Sequence, residues 1–359
     1  MLLELDAPAV IARQVLVLIP AHNEAAGIAA TLDSVRAQLR PADRVVIVCD
    51  NCTDSTADIV RDDYGMEAWA TVGNKHKKAG GLNQALAAFL PDLHDRDLVL
   101  VMDADTEIDN DFIANAEAYV DQGYAAVGGT FRGAEGGGFV GMLQRNEYAR
   151  YGRDVRRRHG KALVLTGTAT MFSVAALRDV LEQRGNQLPG KAGELYDTHA
   201  LTEDNELTLA LRHRGWPIIA PAECAMVTEV MTTWGDLWRQ RLRWKRGAVE
   251  NLTTYGLTRV TFTHIVRQVW SVIGMIVTAL YLGTVVWSLA AVGHLHLHPI
   301  WLAVSVIFAL ERVVTVRSRG FAQMALSAIL IVEMPYDIFL QGAQCSAYLG
   351  ALSGRKASW

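Results

Sequence analysis

From Gln268 to Leu310 the chain runs for 43 consecutive residues without one Asp, Glu, Lys or Arg. Few folds accommodate such a run. Hydrocarbon about 30 Å thick is crossed by roughly 20 apolar helical residues, at about 1.5 Å each. Of the 72 charged residues, 63 lie in residues 1–263, while 264–354 holds only Arg267, Glu311, Arg312, Arg317, Arg319, Glu333 and Asp337. This pattern excludes a simple cytosolic globule and predicts a polar domain followed by membrane-embedded helices.

Composition narrows the classes further. A chain of 359 residues with 51% hydrophobic residues and mean hydropathy +0.15 is too apolar for disorder. Net charge −4 and pI near 6.2 give no basic surface for bulk nucleic-acid binding. Four cysteines (Cys49, Cys52, Cys224, Cys345) are too few for a disulfide framework, so a reducing compartment is expected. The start, MLLELDAPAV, carries Glu4 and Asp6 and no basic n-region, so no signal peptide is read and the polar domain is expected to be cytoplasmic.

Short β-branched runs alternate with amphipathic stretches in the first half. Strands are predicted at Val15–Ile19, Val45–Cys49, Glu67–Thr71 and Leu98–Met102, and helices at Ala25–Leu39, Ser55–Tyr64, Gly81–Phe89 and Asp111–Gln122. That alternation predicts an α/β domain with a parallel sheet, whose ligands bind beyond the carboxyl ends of the strands. Beyond it come a Gly-rich connector at Gly133–Gly138, a basic helix-like segment at Arg145–Lys161 and a strand at Val164–Ser173. Thr202–Arg214 reads as a helix with a threonine N-cap and Gly215 past its end. Trp234–Tyr255 mixes tryptophans with arginines, the composition of a helix lying in the membrane interface.

The chain therefore divides into a cytoplasmic domain (1–233), interface helices (234–263) and membrane helices (264–359). His264–Val292 is long enough to span, Gly293–Pro299 is a break, and a second span ends near Val316. Arg317 and Arg319 place that end in the cytoplasm. Phe321–Gly350, with Glu333, Pro335 and Asp337 inside it, is either a kinked span or a re-entrant segment running into an interfacial helix. Arg355 and Lys356 favour a cytoplasmic C-terminus. Two full spans plus one partial element is the expected topology. Glu311–Arg312 and Glu333–Asp337 are costly in lipid and are expected at the interface or against other helices.

The residues after each predicted strand carry the chemistry. Asp103 and Asp105 at one strand end suit Mg²⁺ or Mn²⁺, hard cations that keep substrate phosphates in their shell. Asp50 and Asp54 at the neighbouring strand end add acids that repel unless a cation or donors sit among them. Lys78, before Gly80-Gly81-Leu82-Asn83, supplies a cation for a diphosphate. Thr202-Glu203-Asp204 opens a helix. Gln240-x-x-Arg243-Trp244 combines an amide, a guanidinium and an indole, suited to phosphate contact beside a stacking platform. Cys49-x-x-Cys52 reads as structural, and His294, His296 and His298 as a wet turn.

In order, the series Ile19-Pro-Ala-His-Asn-Glu24, Asp50-Asn-Cys-Thr-Asp54, Lys78-Ala-Gly-Gly-Leu-Asn83, Asp103-Ala-Asp105, Thr166-Gly-Thr168, Thr202-Glu-Asp204 and Gln240-Arg-Leu-Arg-Trp244 resembles family 2 glycosyltransferases. Within them it is similar to the membrane-integrated branch, the cellulose, chitin, hyaluronan and poly-N-acetylglucosamine synthases, over roughly residues 15–260. The resemblance implies the GT-A nucleotide-diphospho-sugar transferase fold and inverting transfer from a UDP-sugar. It implies that Pro20, Ala21, Glu24 and Asp50 hold the uridine, and that Lys78 and Asp103 contact nucleotide or diphosphate. Asp105 would bind Mg²⁺ or Mn²⁺. Asp204, beside Glu203, would be the general base. Gln240, Arg243 and Trp244 would close over the diphosphate and support the acceptor, with Thr166, Gly167 and Thr168 lining the acceptor side.

No span is read before the predicted catalytic domain, and the two or three membrane elements expected are few for enclosing a polysaccharide channel. Either protomers assemble into a homo-oligomer, or one or a few sugars pass to a glycan, lipid or protein acceptor at the membrane surface. A catalytically silent membrane scaffold and a nucleotidyltransferase-like enzyme are the readings from other classes.

Overall fold

The computed structural model describes residues 13–292 and 299–353. The first strand's N-terminal flank, the three alternating histidines and Arg355–Lys356 lie outside them. The polar region runs β1 (Val15–Ala21), α1 (Ile28–Arg36), β2 (Arg44–Cys49), α2 (Thr56–Asp58), β3 (Glu67–Ala70), α3 (Lys77–Phe89), β4 (Leu98–Met102) and β5 (Thr106–Ile108). It continues through α4 (Phe112–Asp121), β6 (Ala126–Gly128), β7 (Thr130–Gly133), α5 (Gly138–Arg157), β8 (Ala169–Ser173), α6 (Val174–Gln183), α7 (Glu203–His213), β9 (Ile218–Ile219) and β10 (Ala225–Thr228). A π-helical turn over Ile59–Asp63 extends α2.

Seven strands form the main sheet in the order β3-β2-β1-β4-β8-β6-β9, and β5-β10-β7 form a second, smaller one. Both faces of the main sheet are covered, which is why its central strands read as unbroken apolar runs. Leu16, Leu18, Val46, Val48, Val99 and Val101 pack with α3, α6 and α7. The alternate residues Val17, Ile19, Ile47, Leu98, Leu100 and Met102 pack with α1 and α4.

The expected parallel sheet holds for β3-β2-β1-β4 and fails at β8, which runs antiparallel to both β4 and β6. Ala169 pairs with Met102, so β8 starts where β4 ends. The residues before it, predicted to be strand from Val164, are instead a loop. That reversal brings Thr166–Thr168 to the carboxyl ends of the strands. The Gly133–Gly138 connector spans the end of β7 and the start of α5, with Gly136, Gly137 and Gly138 all at positive φ. The basic segment predicted at Arg145–Lys161 is the C-terminal part of α5.

Five helices follow among the described residues: α8 (Trp234–Tyr255), α9 (Arg259–Trp287), α10 (Pro299–Thr315) and the pair α11 (Phe321–Ala328) and α12 (Leu330–Leu352). Thr233 Oγ1 accepts the Asp236 N–H to start α8, and a reciprocal Thr258–Thr261 capping box starts α9. Among the described residues, one helical run, Arg259–Ala291, is long and apolar enough to cross a membrane, with mean hydropathy 2.0. Protein covers none of its most apolar stretch. The ambiguous Phe321–Gly350 resolves into α11, a break at Ile329, and α12, which continues through Pro335. Helix α12 lies along α8, with the Phe339 ring 5.1 Å from Trp234 and 5.3 Å from Trp238.

The charges expected to be costly in lipid are paired. Glu333 of α12 accepts from Arg312 at 2.5 Å, Arg150 at 3.0 Å, Ser327 at 2.9 Å and Asn146 at 3.1 Å. Arg312 also pairs with Asp337, and Arg153 with Glu311. Helix α5 therefore joins the polar domain to the apolar helices.

Candidate active site

The ends of β1 and β2 build a shelf. Pro20 and Ala21 close β1 against Val48 and Cys49, and Asp50 follows, nearly buried. Its Oδ1 accepts from Thr71 Oγ1 at 2.7 Å, Asn74 Nδ2 at 2.8 Å and Asn51 Nδ2 at 3.0 Å. Among the described residues, three of the four non-glycine residues at positive φ lie here: Asn23, Asn51 and Lys77. Asparagine tolerates that backbone, but for Lys77 it costs about 1–2 kcal/mol. The Lys78–Asn83 motif has a steric reason as well. A Cβ on Gly80 would sit 2.1 Å from Asn74 Oδ1, and the Asn83 amide clamps the main chain of Tyr196 at 2.8 and 2.9 Å.

Asp54 stands at the edge of the crowded acids, where its charge helps raise Glu24, but its own oxygens are taken up by loop donors. It accepts from Ala25 N at 3.0 Å and Thr56 Oγ1 at 2.5 Å, tying the two loops together. Cys49 and Cys52 are free and structural, with Cys52 Sγ on the Ala21 carbonyl. The acids that face one another are Glu24, Asp103, Asp105 and Glu229. Burial, then Asp103, Glu229 and Glu24, push Asp105 up to about 6. Burial, then Glu229 and Asp103, raise Glu24 too. Glu229 carries no motif. It follows β10, and only the pairing of β10 with β5 and β7 puts it beside the strand ends.

Lys78 binds Asp103 and the Gly167 carbonyl, the latter at 3.2 Å, and lies 3.5 Å from Glu203. Burial works against its charge, but Asp103 and Glu203 outweigh it and hold its pKa above the ordinary range. Asp204 Oδ2 accepts the Gly167 N–H at 2.9 Å and Oδ1 the Asn205 N–H at 2.7 Å. Burial, then Glu203 beside it, pushes Asp204 up to about 6 against those donors and Lys78. The Thr166–Thr168 loop is thus more than a lining: its backbone bonds Asp204, Lys78 and, through the Thr168 carbonyl, Asp103 N–H. Tyr196, which no motif marks, lines the same small cavity with Lys78, Gly167, Glu203 and Asp204.

Thr202 is the N-cap residue of α7, as predicted, but its side chain makes no cap hydrogen bond. Its Oγ1 and carbonyl instead face Asn251 Nδ2 at 3.3 and 3.2 Å, and a Cβ on Gly247 would lie 2.4 Å from that Oγ1. This contact seats α8 on the head of α7. Gln240, Arg243, Trp244, Gly247 and Asn251 are spaced along one stripe of α8. Gln240, Arg243 and Trp244 therefore share the face that meets the Thr202–Asp204 turn. No direct bond from them to Asp204 is formed.

The fit of a divalent cation rests on this donor set. Among the described residues no group of three His, Cys, Asp or Glu is placed to hold an ion alone. Asp105 presents a carboxylate that reaches solvent on one side and is crowded by three other acids on the other. It fits a cation that draws its remaining ligands from diphosphate oxygens and water, the habit of Mg²⁺.

Comparison with known proteins agrees with this architecture. A family model described as glycosyltransferase-like family 2 matches residues 12–247. The poly-β-1,6-N-acetyl-D-glucosamine synthase of Staphylococcus aureus (strain COL) is 28% identical over 288 residues, 74% of this chain and 63% of that one. The synthase of the same name from Staphylococcus epidermidis is 28% identical over 244 residues, 66% of this chain and 54% of that one. The chain thus spans less than two thirds of the length of these relatives. Among solved structures, the mannosyltransferase PcManGT from Pyrobaculum calidifontis, in complex with GDP-Man and Mn²⁺, has a TM-score of 0.58 at 20% identity, covering 96% of this chain and 89% of that one. That likeness speaks for the fold. By the family match, the chain belongs to glycosyltransferase family 2, and its mixed α/β region is a GT-A-type glycosyltransferase domain.

Proposed function

We propose that the protein transfers a sugar with inversion from a UDP-sugar to an acceptor hydroxyl at the cytoplasmic face of a membrane, building a β-linked glycan or glycoconjugate. The observation that carries this reading is the position of Asp204. Its carboxylate is held by two backbone N–H groups beside Lys78, itself paired with Asp103, and burial and Glu203 push its pKa up to about 6. A base in that range both exists ionised and takes a proton readily. The names of the curated relatives, poly-β-1,6-N-acetyl-D-glucosamine synthases, support a β-linked glycan product.

In this mechanism Pro20, Ala21, Glu24 and Asp50 hold the uridine, and Lys78 with Asp103 orients the diphosphate. Asp204 takes the acceptor's hydroxyl proton as that oxygen attacks the anomeric carbon and the bond to the diphosphate breaks. Glu203 keeps Lys78 in place. Gln240, Arg243 and Trp244 close over the donor, and Thr166–Thr168 with Trp244 borders the acceptor. Asp105 is the residue to hold Mg²⁺ or Mn²⁺, which when bound neutralises charge on the leaving diphosphate. Residues 1–233 form the cytoplasmic domain, 234–263 the interface helices and 264–359 a multi-pass membrane part of two spans plus α12 at the interface. The unburied apolar surface of α9 supports that placement.

Single-sugar transfer to a lipid or protein is the second reading; among the described residues one helical run is long and apolar enough to cross a membrane. Purified protein incubated with a panel of UDP- and GDP-sugars plus Mn²⁺ separates the two. A product ladder means chain extension, and one added mass means limited transfer. No transfer from any nucleotide sugar would refute the function.

The acid limb adds a prediction. Asp105 and Asp204 both titrate near 6 and both act as carboxylates. Log kcat/KM is therefore expected to fall below pH 6 with a slope approaching two. A slope of one would leave only one of them essential in its ionised form.

A further inference from the structure

Arg241 lies inside the Gln240–Trp244 motif yet points away from solvent, being only 1% exposed. A guanidinium in such a place ordinarily has its donors paired. Here Nε has no partner among the described residues. The rest of the group is committed to three neighbours. Nη2 donates to Glu147 Oε2 at 2.8 Å, Nη1 donates to Gln240 Oε1 at 2.7 Å, and the Trp244 ring lies 4.4 Å from the guanidinium carbon. The Tyr148 ring, 5.7 Å away, is a further aromatic neighbour. Glu147 is fixed in turn by α12, because the buried Tyr336 hydroxyl donates to the same Oε2 at 2.5 Å.

We propose that Tyr336, Glu147 and Arg241 form a positioning chain that sets Gln240 and Trp244, so that the seating of α12 on α5 and α8 controls the competence of the site. The proposal rests on Gln240 and Trp244 contacting donor and acceptor. With Oε1 taken by Arg241, the Gln240 amide keeps Nε2 for a ligand oxygen, the polarity that a diphosphate needs. A guanidinium holds an amide with its edge and an indole with its face at once. An ammonium, a point charge, does one or the other. None of the three touches the reacting atoms in this scheme. They act through the two residues they orient.

The test uses the full chain in detergent, with variants Arg241→Lys, Glu147→Gln and Tyr336→Phe. Arg153→Gln, which breaks a different link between α5 and the apolar helices, is the control. Melting temperature, affinity for UDP with Mn²⁺, and kcat and KM for the nucleotide sugar found active are measured. Arg241→Lys keeps the charge on Glu147 but is expected to lower kcat about tenfold and raise donor KM severalfold, as misplacement near a reacting centre does. Glu147→Gln should follow it, and Tyr336→Phe, a single lost hydroxyl, should shift both constants the same way by less. The Arg241→Lys/Glu147→Gln double variant should lose no more than the worse single one, since both cut one chain.

Wild-type kcat and KM in a folded Arg241→Lys protein would overturn the proposal. So would additive losses, or an equal loss in Arg153→Gln, which would mean general loosening. A wild type that turns over no nucleotide sugar refutes the glycosyl-transfer reading instead. The positioning chain is then read from UDP–Mn²⁺ affinity, expected to weaken severalfold in Arg241→Lys and overturned if unchanged.

Discussion

Asp204→Asn is expected to lower sugar transfer by at least about 10²–10⁴-fold, the range that a positioned general base contributes. Binding of UDP with Mn²⁺ should stay within about twofold. The amide cannot take the acceptor's proton, but it has nearly the volume of the carboxylate and leaves Lys78, Asp103 and the shelf around Asp50 untouched. Stability gives a second readout. The folded pKa of Asp204 lies above the ordinary 3.8, so the ionised group costs stability above about pH 6, and that cost vanishes below about pH 4. The shift to about 6 corresponds to about 3 kcal/mol between protonation states at neutral pH. Part of this returns in the variant as a lost acceptor, because one oxygen cannot serve both the Gly167 and Asn205 N–H groups. The variant should therefore melt no lower than wild type at pH 7.5, while being inactive. Near-wild-type turnover would remove Asp204 from the base role. A collapse in melting temperature with lost UDP binding would make its part structural.

The contrast between residues that announce themselves and residues that do not follows from where each constraint acts. Asp50, Asp103 and Asp105 stand directly after buried β-branched runs, and the physics of a buried strand makes its polar end conspicuous. Thr202-Glu203-Asp204 is conspicuous at a helix start for a local reason too. Glu229 is invisible because β10 belongs to a three-stranded sheet whose pairing is set by distant residues. Of the four acids expected to repel, Asp103 and Asp105 face each other, while Asp50 and Asp54 are taken up by loop donors, Asp54 still acting on Glu24, and Glu24 and Glu229 join the group. Tyr196 reaches the site only because Asn83 clamps its backbone, a contact spanning 113 positions in sequence.

Arg241 shows the same limit in the other direction. Surrounded by Arg239, Arg243, Lys245 and Arg246, it reads as one more cation of an interfacial helix. Only α5 and α12 packing around it turn it into a buried group. The reversal of β8 was likewise illegible, since a β-branched run carries no direction. Its consequence for the site is large, because it places Gly167 between Lys78 and Asp204.

Asp105→Asn is expected to change stability in opposite directions with and without ligand. Without it, Asp105 is a partly desolvated carboxylate whose side chain still reaches solvent, and burial, then Asp103, Glu229 and Glu24, raise its pKa to about 6. A raised folded pKa means that its charge works against folding above about pH 6 and not below about pH 4. The full shift is worth about 3 kcal/mol, and solvent screening at an exposed side chain leaves about 1 kcal/mol. The ligand-free variant should accordingly melt a few degrees above wild type at pH 7.5, with the gap closing at pH 4. With UDP and Mn²⁺ the order reverses. A cation bound only by the folded protein stabilises it by about 2.7 kcal/mol at a hundred times its dissociation constant. Wild type should gain that increment over UDP alone, and Asp105→Asn should gain almost none while losing transfer. Glu229→Gln removes a neighbouring charge but leaves Asp105, so it should share the ligand-free gain and keep the Mn²⁺ response. A full Mn²⁺ response in Asp105→Asn would move the cation site to another member of this acid group. The carboxylate cluster is thus a fault in the empty protein and a socket in the loaded one, and these two melting curves read both properties from one side chain.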